Sequence, residues 1–234
     1  MIKLNNNLTE IVFIMDRSGS MMYLTEDTIG GFNSFIGKQK NQPGEALITT
    51  VLFDDQYEIL HNGVNIKDVG PLTNDQYWAR GLTAMYDAIG KTINEVGHRL
   101  SETPEDQRPG KVIFVITTDG LENASKEFTQ HKVKDMIQHQ TEKYSWEFIF
   151  LGANIDSAKE ASSIGIELNR VADYEYSAQG TSTMYAAVDC AVSSLRSSGT
   201  VSASWADCLA TPCDSYDATL AKVNTVCDSI IGIC

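Results

Sequence analysis

The run Lys111 to Thr118, KVIFVITT, constrains this chain more than any other segment. Its apolar residues follow one another without alternation. A strand with one wet face alternates, whereas a continuous run has to be covered on both faces, as a central strand of a parallel sheet is. Parallel neighbours need long crossovers, usually helices, and the rest of the sequence supplies them. Thr9 to Met15 (TEIVFIM) and Trp146 to Leu151 (WEFIFL) are further buried-strand runs, and Asn169 to Ala172 is a candidate last short strand. Apolar residues recur at helical spacing over Glu26 to Lys40 (Ile29, Phe32, Phe35, Ile36) and over Ala84 to Leu100 (Met85, Ile89, Ile93, Val96). Lys126 to Lys143, Ser157 to Ile164 and Thr181 to Leu195 complete the expected helices. Ala46 to Phe53 and Tyr57 to Ile66, joined by a turn at Asp54 and Asp55, predict a hairpin at the sheet edge. The expected fold is therefore α/β, with a doubly wound, mostly parallel central sheet, helices on both faces and one antiparallel edge strand.

Charge and composition narrow the function. The 234 residues carry a net charge of −13. That argues against nucleic acid, which calls for clustered Lys and Arg, and against anionic membrane surfaces. No segment approaches the roughly 18 apolar residues of a spanning helix. The apolar run Ile11 to Met15 lacks the frame of a signal peptide, so a cytoplasmic location is the expectation. From Ser197 onward charges thin out and small polar residues dominate. Cys190, Cys208, Cys213, Cys227 and Cys234 all lie in the C-terminal fifth. Residues 1–196 are thus expected to form the domain and 197–234 a cysteine-containing extension, with Thr219 to Ile231 a candidate helix. No CxxC pair or Cys/His zinc spacing occurs. The lack of an export signal favours reduced thiols; the other reading is a tail that self-associates through disulfides of Cys208, Cys213, Cys227 and Cys234.

Three polar clusters stand just past predicted strands or at a helix start: Asp16-Arg17-Ser18-Gly19-Ser20, Thr83 within Gly81-Leu82-Thr83-Ala84, and Thr118-Asp119-Gly120. In a doubly wound sheet the loops at the carboxyl ends of central strands converge on one crevice. Together Asp16, Ser18, Ser20, Thr83 and Asp119 offer two carboxylates and three hydroxyls, with no sulfur or imidazole. Such a hard-oxygen set suits Mg²⁺, Mn²⁺ or Ca²⁺. Neutral hydroxyl ligands leave the ion residual positive charge, and a coordination position held by water is then open to a carboxylate from another molecule.

Asp16-x-Ser18-x-Ser20 after an apolar strand, a Thr within GLTAMYDAI, and Asp119-Gly120 after KVIFVITT resemble the metal-ion-dependent adhesion site (MIDAS) of von Willebrand factor A (VWA) domains. The resemblance covers roughly residues 9 to 196 and is greatest to small stand-alone bacterial or phage members. It implies a Rossmann-like VWA fold in which Ser18, Ser20 and Thr83 coordinate the ion and Asp16 and Asp119 hold it directly or through water. It also implies a protein partner whose acidic residue completes the shell.

Other readings are weaker. Ser and Asp are favoured helix caps, but capping does not explain three clusters at one end of a sheet. An aspartate-nucleophile phosphohydrolase would carry a second Asp where Ser18 stands, and neither a GxSxG elbow nor a phosphate loop occurs, so no catalytic residue is expected. A metal that serves only to stabilise the fold is the remaining alternative. Asn33, Asn123 and Asn154 read as turn or cap residues, and Asp54 and Asp55 as a plain hairpin turn. Asp87 either orients the site or is a solvated helix carboxylate. His61, His98, His131 and His139 read as surface residues. Met21, Met22 and Tyr23 are expected to be buried under the following helix, the other reading being an apolar rim for a partner. The echo between GLTAMYDA and GTSTMYAA is two similar helix starts, not a repeat.

Overall fold

A computed structural model describes residues 4–210. The expected helix Thr219 to Ile231 and Cys213, Cys227 and Cys234 lie outside the described residues. The expected architecture is present. Six strands, β1 (Asn5–Asp16), β2 (Glu45–Phe53), β3 (Tyr57–Asn65), β4 (Pro109–Thr118), β5 (Glu147–Gly152) and β6 (Val171–Asp173), form one sheet in the order β3-β2-β1-β4-β5-β6. Every neighbouring pair is parallel except the β2–β3 hairpin at one edge.

Register brings the strand ends level. Asp16 lies opposite Phe53, Met15 opposite Thr117, and Thr118 opposite Gly152. The loops that leave β1, β2, β4 and β5 therefore start from one rim.

Successive strand residues feed opposite faces. Ile11, Phe13 and Met15 join Ile113, Val115, Ile149 and Leu151 under α1 (Thr25–Lys40) and α5 (Ala178–Ser198). Val12 and Ile14 join Val112, Phe114, Ile116 and Phe150 under α2 (Met85–Glu102), α3 (Gln130–Tyr144) and α4 (Ser157–Ser163). Phe13 meets Phe32 and Phe35 edge-on at centroid distances of 5.4 and 5.0 Å, and Phe114 stacks on Trp146 and Phe148. Gly31 lets α1 and α5 close up, since a side chain there would overlap the Tyr185 ring.

Some boundaries differ from expectation for physical reasons. α3 begins at Gln130 rather than Lys126, because the amides of Lys126, Glu127 and Phe128 are taken by the Asp87 carboxylate. α5 runs to Ser198 and ends on Gly199 in the left-handed region (φ 82°). The chain keeps packing beyond it. Val201 and Trp205 are buried in the α1/α5 core, the Trp205 indole donates to the Asn169 carbonyl at 2.9 Å, and a last turn, α6 (Asp207–Ala210), follows. Among the described residues no helix is long and apolar enough to cross a membrane.

Phe13 is fully buried between three aromatic partners. Phe13→Ala is expected to lower unfolding stability by about 3–5 kcal/mol, read as a shift of the urea midpoint at unchanged slope.

Candidate metal centre

β1 ends on Asp16, and a 3-10 turn (Gly19–Leu24) follows at once, folding Ser18 and Ser20 back over the strand end. Asp16 Oδ1 accepts the Ser18 amide and its Oδ2 accepts the Thr118 hydroxyl, both at 2.6 Å. Ser20 Oγ donates to Asp119 Oδ1 at 2.6 Å and lies 3.1 Å from Ser18 Oγ. Thr83 closes the ring from the start of α2. Its amide donates to Asn123 Oδ1 and its carbonyl accepts the Asn123 amide. A Cβ placed on Gly120 would stand 3.4 Å from Thr83 Oγ1 and 3.8 Å from Ser20 Oγ. The missing side chain thus leaves a space faced by both hydroxyls. The fold brings all five expected residues to one place, on three loops.

The electrostatics ask for a cation. Asp16 and Asp119 are buried, and among the described residues neither has an ion-pair partner. Asp119 Oδ2 is buried with no hydrogen-bond partner. Burial pushes the Asp16 carboxyl up to about 6, against the pull of its Thr118 and Ser18 hydrogen bonds, and burial also raises Asp119. Among the described residues no group of three or more His, Cys, Asp or Glu comes together, so hydroxyls would have to supply part of any shell. Two desolvated carboxylates, three hydroxyls and an open acceptor fit a hard divalent ion.

Sequence reasoning missed the frame that holds these loops. Arg17, between two candidate ligands, is fully buried. Its Nε meets Asp54 Oδ2 at 3.1 Å and its Nη1 meets Glu58 Oε2 at 2.6 Å. Arg80 Nε reaches the same Asp54 oxygen at 2.7 Å, and both guanidinium groups lie over the Trp78 ring. Backbone bonds lock the arrangement: Arg17 N–H to Phe53 O, Arg80 N–H to Arg17 O, Gly19 N–H to Gly81 O, and Ala84 N–H to Asp54 O. Asp54 is therefore a buried junction, not a plain turn. Tyr77 donates to the Asp16 carbonyl at 2.6 Å, and Tyr176 donates to the Ser20 carbonyl.

A second clamp ties the Asp119 loop to the Thr83 segment. Glu122 accepts the amides of Tyr86, Ala124 and Ser125, while Asp87 accepts three amides and is not a solvated carboxylate. Asn33 is neither a turn nor a cap residue; from inside α1 it pairs with both the amide and the carbonyl of Leu72. Asn154 occupies a left-handed position (φ 56°). Three histidines are exposed, whereas His61 is half-buried and its pKa is lowered by burial. The expected burial of Met21, Met22 and Tyr23 holds only for Met21. In a 3-10 turn residues three apart share a face, so Met21 and Leu24 point inward and Met22 and Tyr23 outward.

Level strand ends, one antiparallel edge and an oxygen-rich crevice define a doubly wound α/β domain with a candidate cation site at the carboxyl end of its central strands. The fold is that of von Willebrand factor A domains. Proximal thread matrix protein 1 (PTMP1) from the mussel byssus superposes with a TM-score of 0.56 at 15% identity, over 78% of this chain and 45% of that one. Another structure of that protein, with a zinc occupied MIDAS motif, gives 0.53 at 18% identity over 78% and 47%. A von Willebrand factor type A protein from Catenulispora acidiphila gives 0.52 at 13% over 78% and 42%. The manganese-loaded TRAP protein of Plasmodium vivax gives 0.50 at 13% over 73% and 70%. This chain thus spans less than half the length of the mussel and Catenulispora chains. No protein-family model and no curated protein matches the sequence.

The raised Asp16 pKa has a measurable sign. Between about pH 4 and 6 the metal-free fold takes up a proton as it forms, so the contribution is fully present below about pH 4 and is lost as pH rises through about 6. In EDTA, stability is expected to fall by about 3 kcal/mol across this window, and Asp16→Asn is expected to flatten the decline in a melting series against pH. Asp54→Asn, which takes from Arg17 and Arg80 the fully buried carboxylate they share, is expected to lower stability by about 3 kcal/mol. Glu58→Gln, at the half-exposed end of the same network, is expected to change it by under about 1 kcal/mol in chemical denaturation.

Proposed function

We propose that this chain is a divalent-metal-dependent protein-binding module. Asp16, Ser18, Ser20, Thr83 and Asp119 hold Mg²⁺ or Mn²⁺, with Ca²⁺ as a further candidate, and an acidic group of a partner protein completes the shell. The observation that carries this reading is the pair of buried carboxylates, Asp16 and Asp119, that lack a cationic partner among the described residues while Arg17, next to Asp16 in sequence, and Arg80, on the segment that leads to Thr83, are both committed to Asp54. The zinc and manganese reported for the mussel and Plasmodium proteins of the same fold support it.

Within this reading each group has a task. Asp16 and Asp119 supply negative charge, directly or through water. The three hydroxyls are neutral donors that leave charge on the ion. Bound there, the metal supplies a Lewis-acid position for a carboxylate oxygen. Thr118 and the Ser18 amide fix the Asp16 carboxylate, and Asn123 fixes the Thr83 backbone, so the donors are set before any ligand arrives. The module's role is binding, and no catalytic step is assigned to it.

Mg²⁺ or Mn²⁺ at a hundred times its dissociation constant is expected to raise the melting temperature by about 5–10 °C, and Asp16→Ala is expected to abolish the rise. An undiminished rise in that variant would remove Asp16 from the ligand set. Partners captured from a lysate in Mg²⁺ are expected to elute with EDTA; equal capture with and without chelator would leave a metal that only stabilises the fold.

A further inference from the structure

Large apolar side chains stand in solvent around the candidate ligands. Met22 and Tyr23 follow Ser20, Leu82 precedes Thr83, and Leu121 follows Gly120; they are 61%, 84%, 56% and 54% exposed. Eight large hydrophobics are exposed among the described residues, and these four fall within three positions of a candidate ligand. Scattered surface apolar residues need no explanation, but a cluster round a polar site marks a surface built for contact.

The loops that carry them meet. Gly19 is hydrogen-bonded to Gly81, Gly120 lies against Thr83 and Ser20, and Tyr176 reaches the Ser20 carbonyl. Folding leaves these side chains out because the inward positions of the same loops are taken by Met21, Leu24, Thr83 and Asp119. Outside this collar the charge is acidic. Asp55, which packs against Gly81, Asp173 at the end of β6 and Glu175 just after it are exposed, and the whole chain carries −13. Arg80, the basic group of the Thr83 loop, is committed to Asp54.

Resting on the metal reading above, we propose that this face recognises a protein segment in which a single carboxylate is flanked by large apolar side chains, with basic residues further out. The carboxylate meets the metal, the apolar flanks cover Met22, Tyr23, Leu82 and Leu121, and the basic ends answer the acidic surround. A segment of several clustered acids fits poorly, because only one carboxylate meets a cation and the others face Asp55 and Glu175.

Three synthetic peptides test this in Mg²⁺: Lys-Leu-Phe-Glu-Phe-Leu-Lys, the same peptide with Ser in place of Leu and Phe, and the apolar peptide with Gln in place of Glu. Affinities are read by calorimetry or by chemical-shift titration of the whole chain. The apolar Glu peptide is expected to bind at least about tenfold more tightly than either control. The Leu82→Ser/Leu121→Ser double variant is expected to lose the preference for apolar flanks while keeping its Mg²⁺-induced rise in melting temperature, and Met22→Ser is expected to weaken the preference alone. Equal affinity for apolar and Ser-flanked peptides, a Gln peptide as tight as the Glu one, or no binding of any peptide by chain that Mg²⁺ has stabilised overturns the proposal. A wild-type melting temperature indifferent to Mg²⁺ overturns the metal reading itself, and this inference with it.

Discussion

The Asp54 carboxylate is the contact on which this end of the molecule depends. It is fully buried, receives Arg17 and Arg80 on one oxygen and the Gln56 amide on the other, and its carbonyl takes the amide of Ala84. The sheet edge, the Ser18–Ser20 loop and the Thr83 segment are thereby joined at one residue. A buried ion pair adds little net stability compared with apolar packing, but breaking one is expensive. What the junction contributes is geometry, because the sheet edge and the two segments that carry Ser18, Ser20 and Thr83 are held at fixed separations.

The fold brings three buried carboxylates, Asp16, Asp54 and Asp119, into neighbouring loops. One is matched with two guanidinium groups; Asp16 and Asp119 meet amides and hydroxyls and, among the described residues, no cation. Buried charge without a partner is strongly disfavoured, and the raised Asp16 pKa is the metal-free protein's response. The cost of burying these two carboxylates falls on the same loops that the Asp54 junction holds in place.

The layers of this fold were legible because periodicity is a local signal. KVIFVITT announced the doubly covered β4, and the apolar spacing over Glu26 to Lys40 announced α1. The chemical identity of the candidate ligands was also legible, since each lies in a short motif beside a strand or helix. What escaped was every role set by a distant partner. Nothing beside Arg17 announces Asp54 and Glu58, 37 and 41 residues on, which hold its buried guanidinium. The start of α3 moved because Asp87, some 40 residues earlier, intercepts its first amides. Tyr176 meets Ser20 across 156 positions, with nothing in either segment to announce it.

The distribution of sulfur has a consequence for where such a centre can operate. Every candidate donor is an oxygen, and all five cysteines lie at position 190 or later. Carboxylates and hydroxyls have no reversible redox chemistry at biological potentials, and thiols do. The candidate donors are thus set apart in sequence from every thiol of the chain. Cys190 is buried in α5, so among the sulfur atoms near the candidate site it is the exposed thioether of Met22, within the collar, that an oxidant would reach first.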